Sequence, residues 1–228
     1  MYNFDEIIDR RHTDCLKYRA LKERWKREDL LPLWVADMDF RTPPFIVDAL
    51  KKRLEHEIYG YTSIDVHWHD SIIQWLEARQ HWKIEKEQLT FVPGIVRGIA
   101  FALQCFTEPG DKILVQPPVY HPFFLTVAHN HREVVWNPLK LSDGQFHIDF
   151  ERFEKDVQGC KLFILSNPHN PGGRVWTREE LERIADICWQ SHTLVISDEI
   201  HADLTLPPYQ HIPFASVSDK ARMNSIVF

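Results

Sequence analysis

Four short stretches carry side chains whose types and spacing point to chemistry. Gln116-Pro117-Pro118-Val119-Tyr120 offers an amide and an aromatic ring. Ser166-Asn167-Pro168-His169-Asn170-Pro171-Gly172-Gly173 offers a hydroxyl, two amides and an imidazole, and Ser197-Asp198-Glu199-Ile200-His201 offers carboxylates and a second imidazole. The fourth, Val92-Pro93-Gly94-Ile95-Val96-Arg97-Gly98, leads into a helical pattern. A glycine turn at a helix amino terminus presents unpaired N–H groups to an anion. Gathered into one crevice, these groups suit a flat heteroaromatic ligand that carries negative charge. Taken singly, each has a plainer reading. Asp198 caps the segment after it, Tyr120 packs between prolines, His201 is a hydrogen-bonded structural histidine, and Asn167-Pro168 and Asn170-Pro171 are common turn dipeptides.

The first three stretches directly follow the apolar runs Ile113-Leu114-Val115, Leu162-Phe163-Ile164-Leu165 and Leu194-Val195-Ile196. Short unbroken apolar runs of this kind are what strands covered on both faces look like. Between them the pattern alternates: helix 95–106, strand 111–116, helix 121–129, strands 134–138 and 161–166, helix 178–189, strand 194–197 and a last strand 225–228. Thr177 with Glu180 reads as a capping box for the helix at 178. Upstream lie helices over about 45–57 and 66–80, the second with Trp68, Ile72, Ile73 and Leu76 at helical spacing. The expected fold class is α/β, with a three-layer, mostly parallel sheet. Residues 1–45 are expected to form an amino-terminal arm and part of a small domain, and residues 46–228 an incomplete large domain. In open parallel sheets ligands bind beyond the carboxyl ends of the strands, which puts the polar stretches at one edge.

At this point a family resemblance becomes specific. The run Ser166 to Arg174, S-N-P-H-N-P-G-G-R, resembles the asparagine-proline motif of fold-type I pyridoxal-phosphate (PLP) enzymes. Ile196-Ser197-Asp198-Glu199-Ile200-His201 is similar to their cofactor-aspartate motif, and Trp34-Val35-Ala36-Asp37-Met38-Asp39-Phe40 and Tyr59-Gly60-Tyr61-Thr62 look like the cystathionine β-lyase branch. The resemblance implies pyridoxal 5′-phosphate as cofactor. Asp198 would pair with its protonated ring nitrogen and keep the ring an electron sink. Asn170 would donate to the ring's phenolic oxygen, with His201 close to the same atom. Tyr120 would stack on the ring face, and the turn from Gly94 through Ile95 and Val96 to Arg97 would hold the phosphate. Trp34, Asp37 and Asn170 would face the substrate, an amino-acid thioether, and Tyr61 would reach the phosphate of a neighbouring subunit in a homodimer. The implied reaction is β-elimination to thiol, pyruvate and ammonia, with an aminotransferase on the same scaffold as the alternative.

The family holds its cofactor as a Schiff base to a lysine just after a strand that follows the aspartate motif. Here that strand is Ser225-Ile226-Val227-Phe228, so the lysine is expected just after Phe228. Lys220 precedes the strand and is not assigned the role. The expectation is therefore a truncated chain with an unfinished sheet edge and a tendency to aggregate. A non-catalytic fragment, or a protein acting through PLP binding or protein contacts, is the reading from another class.

The bulk numbers narrow the remaining possibilities. The 228 residues are 44% hydrophobic and 26% charged, with a net charge of -6, which gives no electrostatic reason for a nucleic-acid partner. No stretch reaches the roughly 20 apolar residues of a membrane span, and the first residues lack a signal-peptide pattern, so a cytoplasmic location is expected. Cys15, Cys105, Cys160 and Cys188 are far apart with no C-x-x-C, and the last three sit in apolar contexts that suggest buried inert thiols. His67-x-His69 and His129-x-His131 lack a spaced acidic or cysteine partner, so no metal site is expected.

Overall fold

The computed structural model describes residues 2–228, which divide into two compact units, one ending at Ser63 and the other running from Ile64 to Phe228. The first holds helix α1 (Leu16–Ala20), which passes into a π-helical turn over Leu21–Trp25, and helix α2 (Pro44–Leu54). Helix α2 starts on a proline, whose fixed φ suits the first helical turn. The expected boundary at 45 thus falls inside the first unit. Pro43-Pro44 breaks local structure without breaking the packing.

The second unit opens with α3 (Val66–Gln80), capped by the Asp65 carboxylate on the His67 N–H, and α4 (Ile95–Phe106). Strand β1 (Lys112–Val115), helix α5 (Pro122–His129) and strand β2 (Glu133–Trp136) follow. Next come β3 (Lys140–Ser142), β4 (Gln145–His147), α6 (Phe150–Asp156), β5 (Cys160–Ser166), α7 (Arg178–Gln190), β6 (Leu194–Asp198), α8 (Asp219–Met223) and β7 (Ser225–Val227). Five strands form one sheet in the order β2-β1-β5-β6-β7, and every neighbouring pair is parallel. The sheet is the mostly parallel α/β arrangement expected of the sequence. The antiparallel hairpin β3-β4 stands apart from it. It escapes the sequence reading because its strands are three residues long, although Asp143-Gly144, both at positive φ, is the dipeptide a tight hairpin turn demands.

Side chains of a strand point alternately to opposite faces, and the central strands use this to build two cores. In β5, Leu162 and Ile164 join Ile113, Val115 and Ile196 against Ile99 and Leu103 of α4 and Phe123 and Val127 of α5. The intervening Phe163 and Leu165 join Leu114 and Val195 against Phe153 of α6 and Leu181, Ile184 and Cys188 of α7. Helices on both faces of one sheet make the three layers. Cys160 and Cys188 are buried in the second of these cores, and burial pushes the Cys160 thiol up to about 11 and Cys188 higher still. Cys105 is different. It is exposed: it lies in the last turn of α4, beyond the buried residues Gly98, Ile99, Ala102 and Leu103.

Phe163 is fully buried and packs its ring against Phe153, with centroids 5.1 Å apart. Replacing it with alanine should cost about 3–5 kcal/mol, read as a lowered midpoint in urea unfolding. A midpoint equal to wild type would mean that this layer is not packed as described.

Candidate functional site

Strands β5 and β6 run in register so that Ser166 lies opposite Asp198, and the Asn167 N–H donates to the Asp198 carbonyl at 2.9 Å. The two motifs therefore emerge side by side at the carboxyl edge of the sheet. Asp198 is only 7% exposed, yet its carboxylate receives a single hydrogen bond among the described residues, from the Ile200 N–H at 3.2 Å. Burial raises its pKa, an effect opposed by the Ile200 bond and by nearby His201. No lysine or arginine pairs with it among the described residues. Burying a carboxylate costs free energy unless a charge or donors compensate, so Asp198 is a dry acceptor suited to a cationic N–H.

Asn170 and Tyr120 are brought together by backbone bonds. The Tyr120 N–H donates to the Asn170 carbonyl at 3.1 Å, and the Asn170 N–H donates to Ser166 Oγ at 3.0 Å. With its backbone held from both sides, the Asn170 amide side chain has no partner among the described residues. The Tyr120 ring is partly exposed and meets Phe123 edge-on at 5.8 Å, leaving ring surface to stack on a ligand. His201 follows one turn after Asp198 and is half-buried.

The anion-binding part lies at the start of α4. Gly94 takes φ +109°, with open space where a Cβ would stand. The first intrahelical bond runs from the Gly98 N–H to the Gly94 carbonyl at 2.9 Å. Helix α4 has no side-chain cap and no acid in its first turn, so the N–H groups of Ile95 and Val96 remain available to an anion. Phe228 ties this turn to Asp198. Its N–H donates to the Ser197 carbonyl at 2.9 Å and its carbonyl accepts from the Glu199 N–H at 2.8 Å. Its ring lies against Gly98, where an added Cβ would come 2.5 Å from Phe228 Cε1.

Trp34, Asp37 and Tyr61 lie in the first unit and are described within it alone. The Trp34 ring meets Trp25 edge-on at 5.9 Å, with the Arg24 guanidinium 5.0 Å above it. Asp37 does not present a free carboxylate. Arg10 and Lys17 both pair with it, and the Arg10 bond holds its carboxyl below the usual range. Tyr61 is fully exposed.

Four buried polar side chains near the strand ends, those of Glu199, Gln116, Asn137 and His169, have no individual role assigned from the sequence. Glu199 accepts from Ser197, Asn167, Phe214 and His211. Gln116 donates to Asn137 at 2.9 Å, and Asn137 to Asp156 at 2.9 Å, bracing the end of β1. His169 stacks edge-on to Trp176 at 5.6 Å, and burial pushes its pKa down to about 4, so it is neutral at pH 7. The general signal for such residues is that buried polar groups need partners, but most partners of Glu199 and Gln116 are distant in sequence, and His169 Nε2 has none among the described residues.

The donor set suits the cofactor that the resemblance implies: a buried acceptor for a cationic ring N–H, a free amide, an aromatic face and an uncapped helix start for a phosphate. Residues 28–226 match the family model described as aminotransferase class I and II. The chain is 47% identical over 219 residues to cystathionine beta-lyase PatB of Bacillus subtilis, covering 95% of this chain and 57% of that protein. Cystalysin from Treponema denticola, which contains a pyridoxal 5′-phosphate cofactor, superposes with a TM-score of 0.95 at 33% identity. That match covers 100% of this chain and 59% of cystalysin. The PLP-bound C-S lyase from Staphylococcus hominis gives a TM-score of 0.90 at 37% identity, over 100% of this chain and 58% of that one. The chain thus spans a little over half the length of the relatives it matches.

An aspartate pKa raised by burial has a defined consequence for stability without a ligand. Above the raised value the folded state carries a penalised charge; below the ordinary value of 3.8 both states are protonated and the penalty vanishes. Asp198→Asn should therefore stabilise the cofactor-free protein at pH 7, by a margin that shrinks as pH falls towards 4. Denaturant unfolding across that range checks it, and a margin that grew on acidification would contradict the buried, unpaired carboxylate.

Proposed function

The chain belongs to the aminotransferase class I and II family, and from that premise we propose that the whole protein is a PLP-dependent C–S β-lyase of the cystathionine β-lyase type. The observation that carries the cofactor reading is the buried Asp198 carboxylate with no cationic partner, beside the unpartnered Asn170 amide. The names of the similar proteins favour the lyase over the aminotransferase reading.

When bound, PLP supplies an electron sink that stabilises the negative charge left at the substrate α-carbon on proton loss. Asp198 accepts a hydrogen bond from the protonated ring nitrogen and so keeps that nitrogen charged. This pairing also relieves its own burial, since an opposite charge lowers a carboxylate pKa. The Asn170 amide donates to the ring's phenolic oxygen, with His201 on the same side. Tyr120 lies against the ring face, where an aromatic partner orders at small entropic cost. The Ile95 and Val96 N–H groups, beyond Gly94, hold the phosphate at the start of α4. Trp34, Asp37 and Asn170 are the substrate-facing positions that the resemblance implies; within the first unit Asp37 is paired with Arg10 and Lys17. Tyr61 reaches the phosphate of a second subunit, so the working form is a homodimer. The location is the cytoplasm, in keeping with the lack, among the described residues, of a helix long and apolar enough to cross a membrane.

The test is made on the full-length protein loaded with PLP and given L-cystathionine. Thiol, pyruvate and ammonia should appear in equal amounts, and Asp198→Asn should lower kcat/KM by roughly a hundredfold or more. Exchange of amino and keto acids without thiol release would overturn the lyase reading in favour of the aminotransferase.

A further inference from the structure

Glu199 follows the proposed cofactor aspartate and has no part in the reaction as derived above. It is 7% exposed, and its two oxygens gather donors from separate segments. Oε1 accepts from Ser197 Oγ at 2.7 Å, from the Phe214 N–H at 2.8 Å and from Asn167 Nδ2 at 3.3 Å. Oε2 accepts from His211 Nε2 at 2.7 Å, its only partner among the described residues. The Glu199 N–H meanwhile donates to Phe228, whose ring covers Gly98 in the first turn of α4. One residue therefore contacts the start of the Asn170 turn, the residue before Asp198, and the residue that backs the anion-binding helix start.

His211 completes this arrangement. Its side chain is only 3% exposed. A carboxylate oxygen accepts, so Nε2 must carry the hydrogen; Nδ1 is buried without a partner. The ring makes one directed bond, and that bond ends on Glu199. We propose that His211 is a positioning residue for the cofactor site: by donating to Glu199 Oε2 it fixes the strand ends that aim Asp198 and Asn170 at the ligand. Without that donor a buried carboxylate oxygen is left unpaired, which costs enough for Glu199 to turn towards water or other donors. Any such turn pulls on Asn167, Ser197 and Phe228 together. The proposal rests on the cofactor reading above, and the experiment separates the two.

The experiment titrates PLP into the cofactor-free full-length protein by visible absorbance, for wild type, His211→Phe and His211→Gln. Phenylalanine keeps the ring and removes the donor; glutamine restores an N–H near the Nε2 position. The expected result is a Kd roughly tenfold higher for His211→Phe, with an altered absorption band, and a glutamine variant within about twofold of wild type. Thermal melts establish that each variant is folded. If the phenylalanine variant does not fold, His211→Asn, polar but too short to reach Glu199, takes its place, and the same contrast with glutamine is expected. Equal Kd values for all variants, or equal losses in the glutamine and donor-free variants, would overturn the role of His211 alone. Failure of wild type itself to bind PLP would overturn the cofactor reading, and this proposal with it.

Discussion

A carboxylate held out of water without a cation is the constraint around which the second unit is arranged. Asp198 ends a strand buried on both faces, and its raised pKa records the cost of that placement. Such a group is tolerated when it performs a task that requires it dry. In a low-dielectric setting, pairing with a cationic ring nitrogen is stronger than it would be in water. The neighbouring groups have complementary properties: an amide with no protein partner, a partly open aromatic face and a helix start with no cap.

The sheet supplies the accuracy. Parallel register places Ser166 beside Asp198, so the asparagine turn and the aspartate are fixed relative to each other by ladder hydrogen bonds rather than by loop packing. The alternation of Leu162, Phe163, Ile164 and Leu165 between two cores holds β5 from both faces and prevents it from slipping. Behind the edge, Glu199 replaces what a loop would leave loose, and the chain from Gln116 through Asn137 to Asp156 does the same for β1. Sites held on strand ends by such supporting bonds keep their geometry better than sites on free loops.

The parts legible in the sequence were those with local causes. Apolar runs gave the central strands. Thr177 and Glu180 gave a capping box that forms with bonds of 3.2 and 2.8 Å. Strand-end logic alone places Asp198, Asn170 and Tyr120 at one edge. What stayed hidden depends on residues far apart in the chain. His211 meets Glu199 across a twelve-residue gap that no periodicity announces, and Arg10 reaches Asp37 over 27 residues. Cys105 is exposed because it lies in the last turn of α4, past the buried residues, a position that an apolar neighbourhood in sequence does not reveal. The β3-β4 hairpin has strands too short to show alternation.

The most direct test of this account is a crystal structure of the full-length protein with PLP bound. An Asp198 carboxylate oxygen should lie at hydrogen-bond distance, about 2.7–2.9 Å, from the ring nitrogen, with the phosphate on the Ile95 and Val96 N–H groups. A ring nitrogen facing any other side chain, with Asp198 still lacking a cationic partner, would contradict it.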